Sequence, residues 1–188
     1  NDHKKETTEI EFSENETKTS QSFEIEVLIV DDDPDTLFTL DEIVQSCKCK
    51  TVLAKNGREC LEILERKIPD LVLLDIIMPE MDGFEVCRRL KQDDRTRDIP
   101  IIFVSALQEV QDRIRSFEAG GVDFISKPFQ EPEVLVRVRT HIDLRNAKLH
   151  LEELVAERTA KLARSEAKYR GLVDNSIVGV FASTIEGR

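Results

Sequence analysis

Five polar residues stand at the predicted ends of buried strands, and their side chains are suited to binding a cation and a phosphoryl group. They are Asp31, Asp32, Asp75, Ser105 and Lys127, each placed directly after an apolar run or strand pattern. Unbroken apolar runs are typical of parallel strands that are covered on both faces. Because ligands of parallel α/β sheets bind outside the carboxyl ends of the strands, we expect these five side chains to meet in one crevice.

Three carboxylates in this set predict a magnesium site. If Asp31, Asp32 and Asp75 lie close together, their charges repel one another unless a cation neutralises them. Oxygen ligands without histidine or cysteine favour a hard ion such as Mg²⁺, which also binds phosphate. An acidic stretch can instead cap a helix, which suits Asp33 before Pro34. Capping does not account for Asp75, because this residue ends a different strand.

Asp75 is also the candidate nucleophile of the crevice. A carboxylate can form an acyl phosphate when positive charge neutralises the incoming phosphoryl oxygens. Lys127 would supply an ammonium group for this purpose, and Ser105 a hydroxyl hydrogen bond. Ser105 taken alone would more commonly cap a helix. The Lys127–Pro128 bond is a candidate for the cis form, which would help to aim the lysine side chain.

Apolar strands and amphipathic helices alternate five times between residues 25 and 143, which predicts a parallel sheet with right-handed crossovers. Strand patterns lie near 25–30, 50–54, 70–74, 100–104 and 122–125. Helical patterns lie near 35–46, 57–67, 83–92 and 108–119, and a fifth begins near 131. Residues 1–24 are polar and aperiodic, so we expect a disordered leader or linker there.

The fifth helix is predicted to continue well beyond the sheet, to about residue 172. Over 144–172 a heptad pattern places its seam at Leu144, Lys148, Leu151, Val155, Arg158, Leu162, Ser165, Tyr169 and Leu172. We expect a weak parallel two-stranded coiled coil, and therefore a homodimer, because polar residues interrupt the seam. A solvated single helix is the alternative. Residues 175–188 predict a turn, a short strand and another turn.

Composition argues against several classes of partner. A net charge of −11 disfavours nucleic acid binding, which needs a basic face. No stretch approaches the roughly 20 apolar residues of a membrane helix, and we expect no membrane association and no secretory signal. The four cysteines lack zinc spacing, so we expect a reduced, cytoplasmic protein.

Four motifs, in order, resemble those of the receiver domain of two-component response regulators. They are VLIVDDDP (27–34), LVLLDIIMPEMDGFE (71–85), IPIIFVSA (99–106) and VDFISKPF (122–129). The resemblance covers residues 25–143 and implies a doubly wound α/β fold with a five-stranded parallel sheet of order 2-1-3-4-5. It also implies that a histidine kinase or phosphotransfer protein donates a phosphoryl group to this domain.

The resemblance assigns a phosphoacceptor and a metal site. Asp75 would accept the phosphoryl group. Asp31, Asp32 and Asp75 would hold Mg²⁺ together with the backbone carbonyl of Ile77. By this resemblance the domain is a signalling phosphoacceptor, and we expect no enzyme activity of its own beyond its part in phosphoryl transfer.

The same resemblance assigns the residues that bind the phosphoryl group and respond to it. Ser105 and Lys127 would bind it, and Phe124 would be an aromatic switch coupled to Ser105. We expect Phe124 to turn from an exposed to a buried position on phosphorylation. Ile77 and Leu107 would flank the path of a hydrolytic water, and as apolar residues they predict slow loss of the phosphoryl group.

The helical segment resembles a signalling helix that leads into a PAS domain. This resemblance rests on LEELVAERTAKLARSEAKYRGLVDNS (151–176), and residues 166–188 resemble the opening of a PAS domain. We therefore expect a piece of a longer protein. In it a receiver (25–143) would relay its state through a dimeric helix (144–172) to a downstream domain that begins at 173.

Two other functions would use some of the same features. The chain is alternatively part of a hybrid sensor histidine kinase whose catalytic region lies outside these residues. A phosphatase of the haloacid-dehalogenase type also uses an aspartate nucleophile and magnesium. Its nucleophile follows the first strand, however, whereas Asp75 follows the third predicted strand, which argues against that class.

Overall fold

Five strands alternate with five helices in the part of the chain that the computed structural model describes, residues 25–106 and 110–185, with side chains up to Arg170. The strands are β1 Glu26–Val30, β2 Lys50–Ala54, β3 Leu71–Asp75, β4 Ile101–Ser105 and β5 Asp123–Ser126. The helices are α1 Pro34–Ser46, α2 Gly57–Arg66, α3 Gly83–Gln92, α4 Val110–Glu118 and α5 Glu131–Ile185. The predicted leader, 1–24, lies outside the described residues.

The five strands pair in the order β2-β1-β3-β4-β5, and every pair is parallel, which confirms the predicted doubly wound sheet. The chain steps outward from β1 to β2 and then crosses back to β3 on the other side of β1. The strand order therefore reverses between β1 and β3, and a crevice is expected at their carboxyl ends. Asp31 directly follows β1, and Asp75 is the last residue of β3.

Apolar side chains on both faces of the sheet form two core clusters. One cluster joins the sheet to α2 and α3 through Cys60, Leu64, Phe84, Val86, Cys87 and Leu90. The other joins the sheet to α1 and α5 through Leu37, Leu40, Val44, Val134, Val138 and Ile142. Burial on both faces explains why β1, β3 and β4 contain unbroken apolar runs, whereas the edge strand β2 is partly exposed.

Side-chain caps fix where the helices beside the crevice begin. Asp33 caps α1 by accepting hydrogen bonds from the N–H groups of Asp35 and Thr36 at 3.3 and 3.2 Å, which confirms the predicted cap. Asp82 caps α3 by accepting one from the N–H of Glu85 at 2.7 Å. Each cap satisfies N–H groups that have no partner within the helix. The first turns of α1 and α3 are thereby fixed close to the ends of β1 and β3.

Gly83, the first residue of α3, allows a close approach of two backbone segments. A Cβ at this position would overlap the carbonyl oxygen of Asp75 and lie 2.9 Å from the Cα of Ile76. The N–H of Gly83 donates to the carbonyl of Ile76 at 2.9 Å. The chain that leaves β3 is therefore held against the start of α3, and the position of Asp75 depends on the absence of a side chain at Gly83.

α5 continues as one helix far beyond the sheet. It has 55 residues, which corresponds to a length of about 80 Å. The turn and short strand predicted within 175–188 are wrong for the described residues, because the helix extends through Ile185. A strand must pair its backbone groups with a neighbouring strand, whereas a helix pairs them within the segment. Residues 186–188 lie outside the described range.

Two contacts, which we call the exit contacts, join α5 to loops of the α/β domain where the helix leaves the sheet. Arg145 Nη1 donates to the carbonyl oxygen of Pro69 at 2.8 Å. One turn later, Lys148 Nζ lies 2.6 Å from Asp98 Oδ1, in the loop between α3 and β4.

Among the described helices, α5 included, we find none that is long and apolar enough to cross a membrane.

Candidate functional site

The structure brings the predicted site residues together at the carboxyl edge of the sheet. Asp31 and Asp32 follow β1, Asp75 and Ser105 end β3 and β4, and Lys127 follows β5. The carboxylate ligand atoms of Asp31, Asp32 and Asp75 all lie within 4.8 Å of one another. The ammonium of Lys127 lies among them, with Nζ 2.7 Å from Asp31 Oδ2 and 3.3 Å from Asp75 Oδ2.

The three carboxylates differ in how many hydrogen bonds they already accept. Asp31 is fully buried, and its Oδ1 accepts from the N–H of Asp33 at 3.0 Å while its Oδ2 accepts from the lysine ammonium. Asp75 is also buried, and its Oδ1 accepts a backbone N–H at 2.8 Å. Asp32 is exposed. Both oxygens of Asp31 are thus engaged, and those of Asp75 also face a backbone N–H and the lysine ammonium. The exposed Asp32 is therefore the carboxylate best placed to contact an ion directly.

Burial and neighbouring charge perturb the site. Burial, with a further contribution from the charge of Asp31, raises the pKa of Asp75 to about 6, although Lys127 acts in the opposite direction. Burial by itself would lower the pKa of Lys127. Its hydrogen bond to Asp31 and the charge of Asp75 outweigh burial, so the pKa of Lys127 is raised. The ammonium therefore stays protonated at neutral pH.

The charge of the cluster fits a hard divalent cation. Three carboxylates and one ammonium leave two negative charges uncompensated. The ligand atoms are all oxygens, and one of the three carboxylates is open to solvent. Oxygen ligands with room for water molecules are the environment that Mg²⁺ prefers. The residues present therefore fit the predicted cation.

Backbone hydrogen bonding and a cis peptide bond position Lys127 beside β4. The N–H of Lys127 donates to the carbonyl of Ser105 at 2.8 Å. The Lys127–Pro128 bond is cis, which confirms the candidate identified in the sequence. Ser105 is fully buried at the end of β4, and its neighbour in the sheet is Ser126 of β5. Ser105 and Lys127 therefore border the crevice from adjacent strands.

Phe124 is buried in the structure, with 5% of its surface exposed. The expected resting position, in which the ring is exposed, is therefore not the one observed. The ring belongs to the same core cluster as Phe103, its neighbour on β4. The guanidinium carbon of Arg113 lies 5.6 Å from the ring centroid and covers the ring from α4. Apolar packing and this cation–π contact both favour the inward position.

The two residues predicted to flank the hydrolytic path are only partly described. Ile77, two residues after Asp75, has 55% of its surface exposed. Leu107 lies outside the described residues. Slow loss of the phosphoryl group therefore stays a prediction. The carbonyl of Ile77 remains a predicted metal ligand.

A pocket that sequence reasoning did not single out adjoins Lys127. It is open to solvent and has a volume of about 480 Å³. Its walls come from the first half of α1 with its cap and from the segments after β4 and β5, with Asp33, Asp35, Thr36, Thr39, Ala106, Pro128 and Phe129 beside Lys127. The sequence offers one sign of this pocket: its lining residues lie within or shortly after the acidic motif, or directly after Ser105 or Lys127. The pocket offers a route by which another molecule can reach the lysine.

A profile of the response regulator receiver domain matches residues 27–139. The fold and the carboxylate–lysine cluster agree with this match, and the chain belongs to the response regulator receiver domain family. Receiver domains bind Mg²⁺ at an acidic pocket and take phosphoryl groups from histidine kinases or phosphotransfer proteins. In this chain the acidic pocket is formed by Asp31, Asp32 and Asp75.

Individual proteins share this region. The chain is 38% identical over 113 residues to the DNA-binding dual master transcriptional regulator RpaA of Synechocystis sp., a match that covers 60% of this chain and 47% of RpaA. It is 36% identical over 170 residues to a probable cyclic di-GMP phosphodiesterase of Vibrio cholerae, covering 86% of this chain and 36% of that protein. The chain therefore spans less than half the length of these relatives.

A solved structure gives the same fold. The signal receiver domain of a signal transduction histidine kinase from Syntrophus aciditrophicus is 37% identical to this chain. Its TM-score is 0.59, and the match covers 63% of this chain and 89% of that structure.

Proposed function

We propose that Asp75 accepts a phosphoryl group from a phosphohistidine and that the resulting change is relayed through α5 to a downstream domain. One observation carries the proposal: the Lys127 ammonium lies 2.7 Å from Asp31 and 3.3 Å from Asp75, inside a cluster of three carboxylates. This arrangement holds a positive charge next to a carboxylate oxygen that can attack phosphorus. A purely structural ion pair would not need two further carboxylates beside it.

Asp75, Lys127 and Ser105 would have separate roles in phosphoryl transfer. An oxygen of Asp75 attacks the phosphorus while the bond from phosphorus to the donor's imidazole nitrogen breaks, and the imidazole leaves with that electron pair. Lys127 holds its positive charge against the phosphoryl oxygens, and Ser105 donates a hydrogen bond to one of them. The pocket beside Lys127 admits the donor's histidine.

Asp32 and Asp75 would hold Mg²⁺ directly, Asp31 through water, and the carbonyl of Ile77 would complete the protein ligands. The exposure of Asp32 supports its direct contact, and the two hydrogen bonds of the fully buried Asp31 support a contact through water. When bound, the ion neutralises charge on the carboxylates and on the phosphoryl oxygens.

Intact-mass measurement after incubation with acetyl phosphate and Mg²⁺ tests the proposal. The wild-type chain should gain the mass of one phosphoryl group, whereas Asp75→Asn and Asp32→Ala should not. Asp94→Asn is a matched control, because Asp94 lies on the α3–β4 loop with its side chain 87% exposed. Phosphorylation of Asp75→Asn would contradict the acceptor assignment, and normal phosphorylation of Asp32→Ala at low magnesium would contradict the metal assignment.

We further propose that α5 pairs with a second copy of the chain in parallel. Leu144, Leu151, Val155 and Leu162 each have 60 to 66% of their surface exposed along the predicted seam. Burial of such a row against a partner helix would favour association. Lys148 also occupies a seam position, but it binds Asp98 of its own chain. While the exit contacts are intact, Lys148 is held by its own chain, so the pairing of the two helices would begin at the next seam residue, Leu151.

Sedimentation measures this pairing directly. The wild-type chain should dimerise at tens of micromolar, and Leu151→Asp combined with Leu162→Asp should make it monomeric. Leu149→Asp is the matched control, because Leu149 is exposed on α5 but lies outside the seam. A monomeric wild type, or a dimer that survives the double substitution, would refute the proposal.

In the domain arrangement we propose, a leader (1–24) precedes the receiver (25–143), and a signalling helix (144–172) leads to the start of a PAS domain (173–188). The match to the Vibrio cholerae protein extends over 170 residues, beyond the receiver, and so supports a shared segment after it. A hybrid sensor histidine kinase is the second candidate, favoured by the histidine kinase origin of the Syntrophus receiver structure. Incubation of the longer protein with ATP distinguishes the two, since only a hybrid kinase would phosphorylate itself.

A further inference from the structure

Cys47 and Cys49 form a close thiol pair at the end of the sheet opposite the phosphoacceptor site. Their sulfur atoms are 3.4 Å apart. Cys47 directly follows the last residue of α1, and Cys49 directly precedes β2. The pair plays no part in phosphoryl transfer, which takes place at the carboxyl ends of the strands.

We propose that Cys47 and Cys49 are a redox site that hydroperoxides oxidise to an intramolecular disulfide. A disulfide has a sulfur–sulfur distance of about 2.0 Å, so the two sulfur atoms need to approach by only about 1.4 Å from their separation of 3.4 Å. The residue between them, Lys48, has a φ of 63°, in the left-handed region that turns the chain back on itself. The two cysteines are thus already held face to face by a tight turn.

The two thiols differ in accessibility, which sets their order of reaction. Cys47 is half-buried, while Cys49 is buried. Burial, reinforced by the neighbouring Cys47, raises the pKa of the Cys49 thiol to about 12, so this thiol resists ionisation. A peroxide in solution therefore meets Cys47 first. Cys49 then reacts from within the protein, because its sulfur is already in contact with that of Cys47.

Each step of the oxidation balances. The sulfur of Cys47 attacks one peroxide oxygen, the oxygen–oxygen bond breaks, and the released alkoxide or hydroxide takes a proton to leave as an alcohol or water. Cys47 is then a sulfenic acid. The sulfur of Cys49 attacks that sulfur, the sulfur–oxygen bond breaks, and hydroxide leaves with the thiol proton as water. In sum, the two thiols lose two electrons and two protons, and the hydroperoxide is reduced.

A metal site does not account for the pair in the described part of the chain. There, the only group of three or more cysteine, histidine or acidic residues with converging ligand atoms is Asp31, Asp32 and Asp75. Two thiols alone do not complete the tetrahedral set that zinc requires. Proximity of two sulfur atoms without further ligands fits a disulfide better.

Two other cysteines of the same chain serve as internal controls. Cys60 and Cys87 are fully buried in the core. Burial raises the pKa of the Cys60 thiol to about 12 and that of Cys87 to about 11. Neither belongs to a close sulfur pair among the described contacts, so the proposal predicts that both remain reduced.

Thiol counting with peptide mapping tests the proposal on the reduced full chain. After treatment with hydrogen peroxide, two of the four cysteines should resist alkylation under denaturing conditions, and dithiothreitol should restore them. Trypsin cuts after Lys48, so the peptides that carry Cys47 and Cys49 stay joined only if the disulfide has formed. Recovery of both peptides separate and alkylated, as for Cys60 and Cys87, would overturn the proposal.

Single substitutions test the order of reaction. Cys49→Ser should leave Cys47 as a sulfenic acid that dimedone labels, whereas Cys47→Ser should give little labelling at Cys49. Equal labelling in the two variants would refute the assigned roles. The disulfide itself is measured on the wild-type chain, so a variant that fails to fold leaves that result intact.

Discussion

Replacing Asp75 with asparagine should stabilise the resting protein at neutral pH when divalent cations are absent. The pKa of Asp75 is about 6 in the folded protein, against an ordinary value of 3.8. Each pKa unit corresponds to about 1.4 kcal/mol, so ionising Asp75 lowers the free energy of unfolding by about 3 kcal/mol. Solvent screening reduces this figure only slightly, because the side chain of Asp75 is only 6% exposed.

The sign of the effect follows from the raised pKa. The neutral carboxyl favours the folded state, so its contribution is complete below about pH 4 and is lost as the pH rises through about 6. Asparagine resembles the neutral carboxyl at every pH. The variant should therefore be more stable than the wild type by about 3 kcal/mol at pH 7.5, and the difference should disappear towards pH 4.

Urea unfolding followed by circular dichroism, in EDTA and at a series of pH values, measures this difference. Asp94→Asn, an exposed substitution of the same chemistry, should show no comparable gain at any pH. Added Mg²⁺ should stabilise the wild type more than Asp75→Asn, because the variant lacks one carboxylate of the site. If Asp75→Asn is no more stable than the wild type at pH 7.5 in EDTA, burial does not destabilise the ionised carboxylate as argued.

Three further outcomes are expected. Gly83→Ala should lower the free energy of unfolding by about 1–3 kcal/mol or more, because a methyl group would overlap the Asp75 carbonyl; unchanged urea unfolding would contradict this. Ile77→Asn should shorten the lifetime of the acyl phosphate by up to about 100-fold, the low end of general-base assistance, and an equal rate of phosphate loss would remove support for apolar shielding. Ser105→Ala should still be phosphorylated, but phosphorylation should alter amide hydrogen exchange in α4 and β5 less in this variant than in the wild type. An equal alteration in both proteins would refute the coupling to Phe124.

The sequence was sufficient to predict the central strands and the crevice, because β1, β3 and β4 contain apolar runs that a polar residue ends or directly follows. Asp31 and Asp75 could be placed at one edge without coordinates, since parallel strands bring their carboxyl ends together. The cis bond at Lys127–Pro128 could be named as a candidate locally, because the cis form occurs almost only before proline.

Features that depend on distant contacts were not predictable in this way. The inward position of Phe124 depends on the space beside Phe103 and on Arg113 from another element. The pairing of Lys148 with Asp98 joins residues that are 50 positions apart, so heptad spacing gave no sign of it. The helix through Ile185 replaces a strand that would need a pairing partner.

The exit contacts make α5 a lever arm whose short end is fixed to the receiver. Arg145 and Lys148 hold the helix at the edge of the sheet, and the helix then continues without a break past Arg170. From Lys148 to Arg170 the helix rises about 33 Å, so a tilt of about 5° at its base displaces its far end by about 3 Å. A change in the receiver that is too small to alter its fold can therefore displace the far end of this helix by about 3 Å.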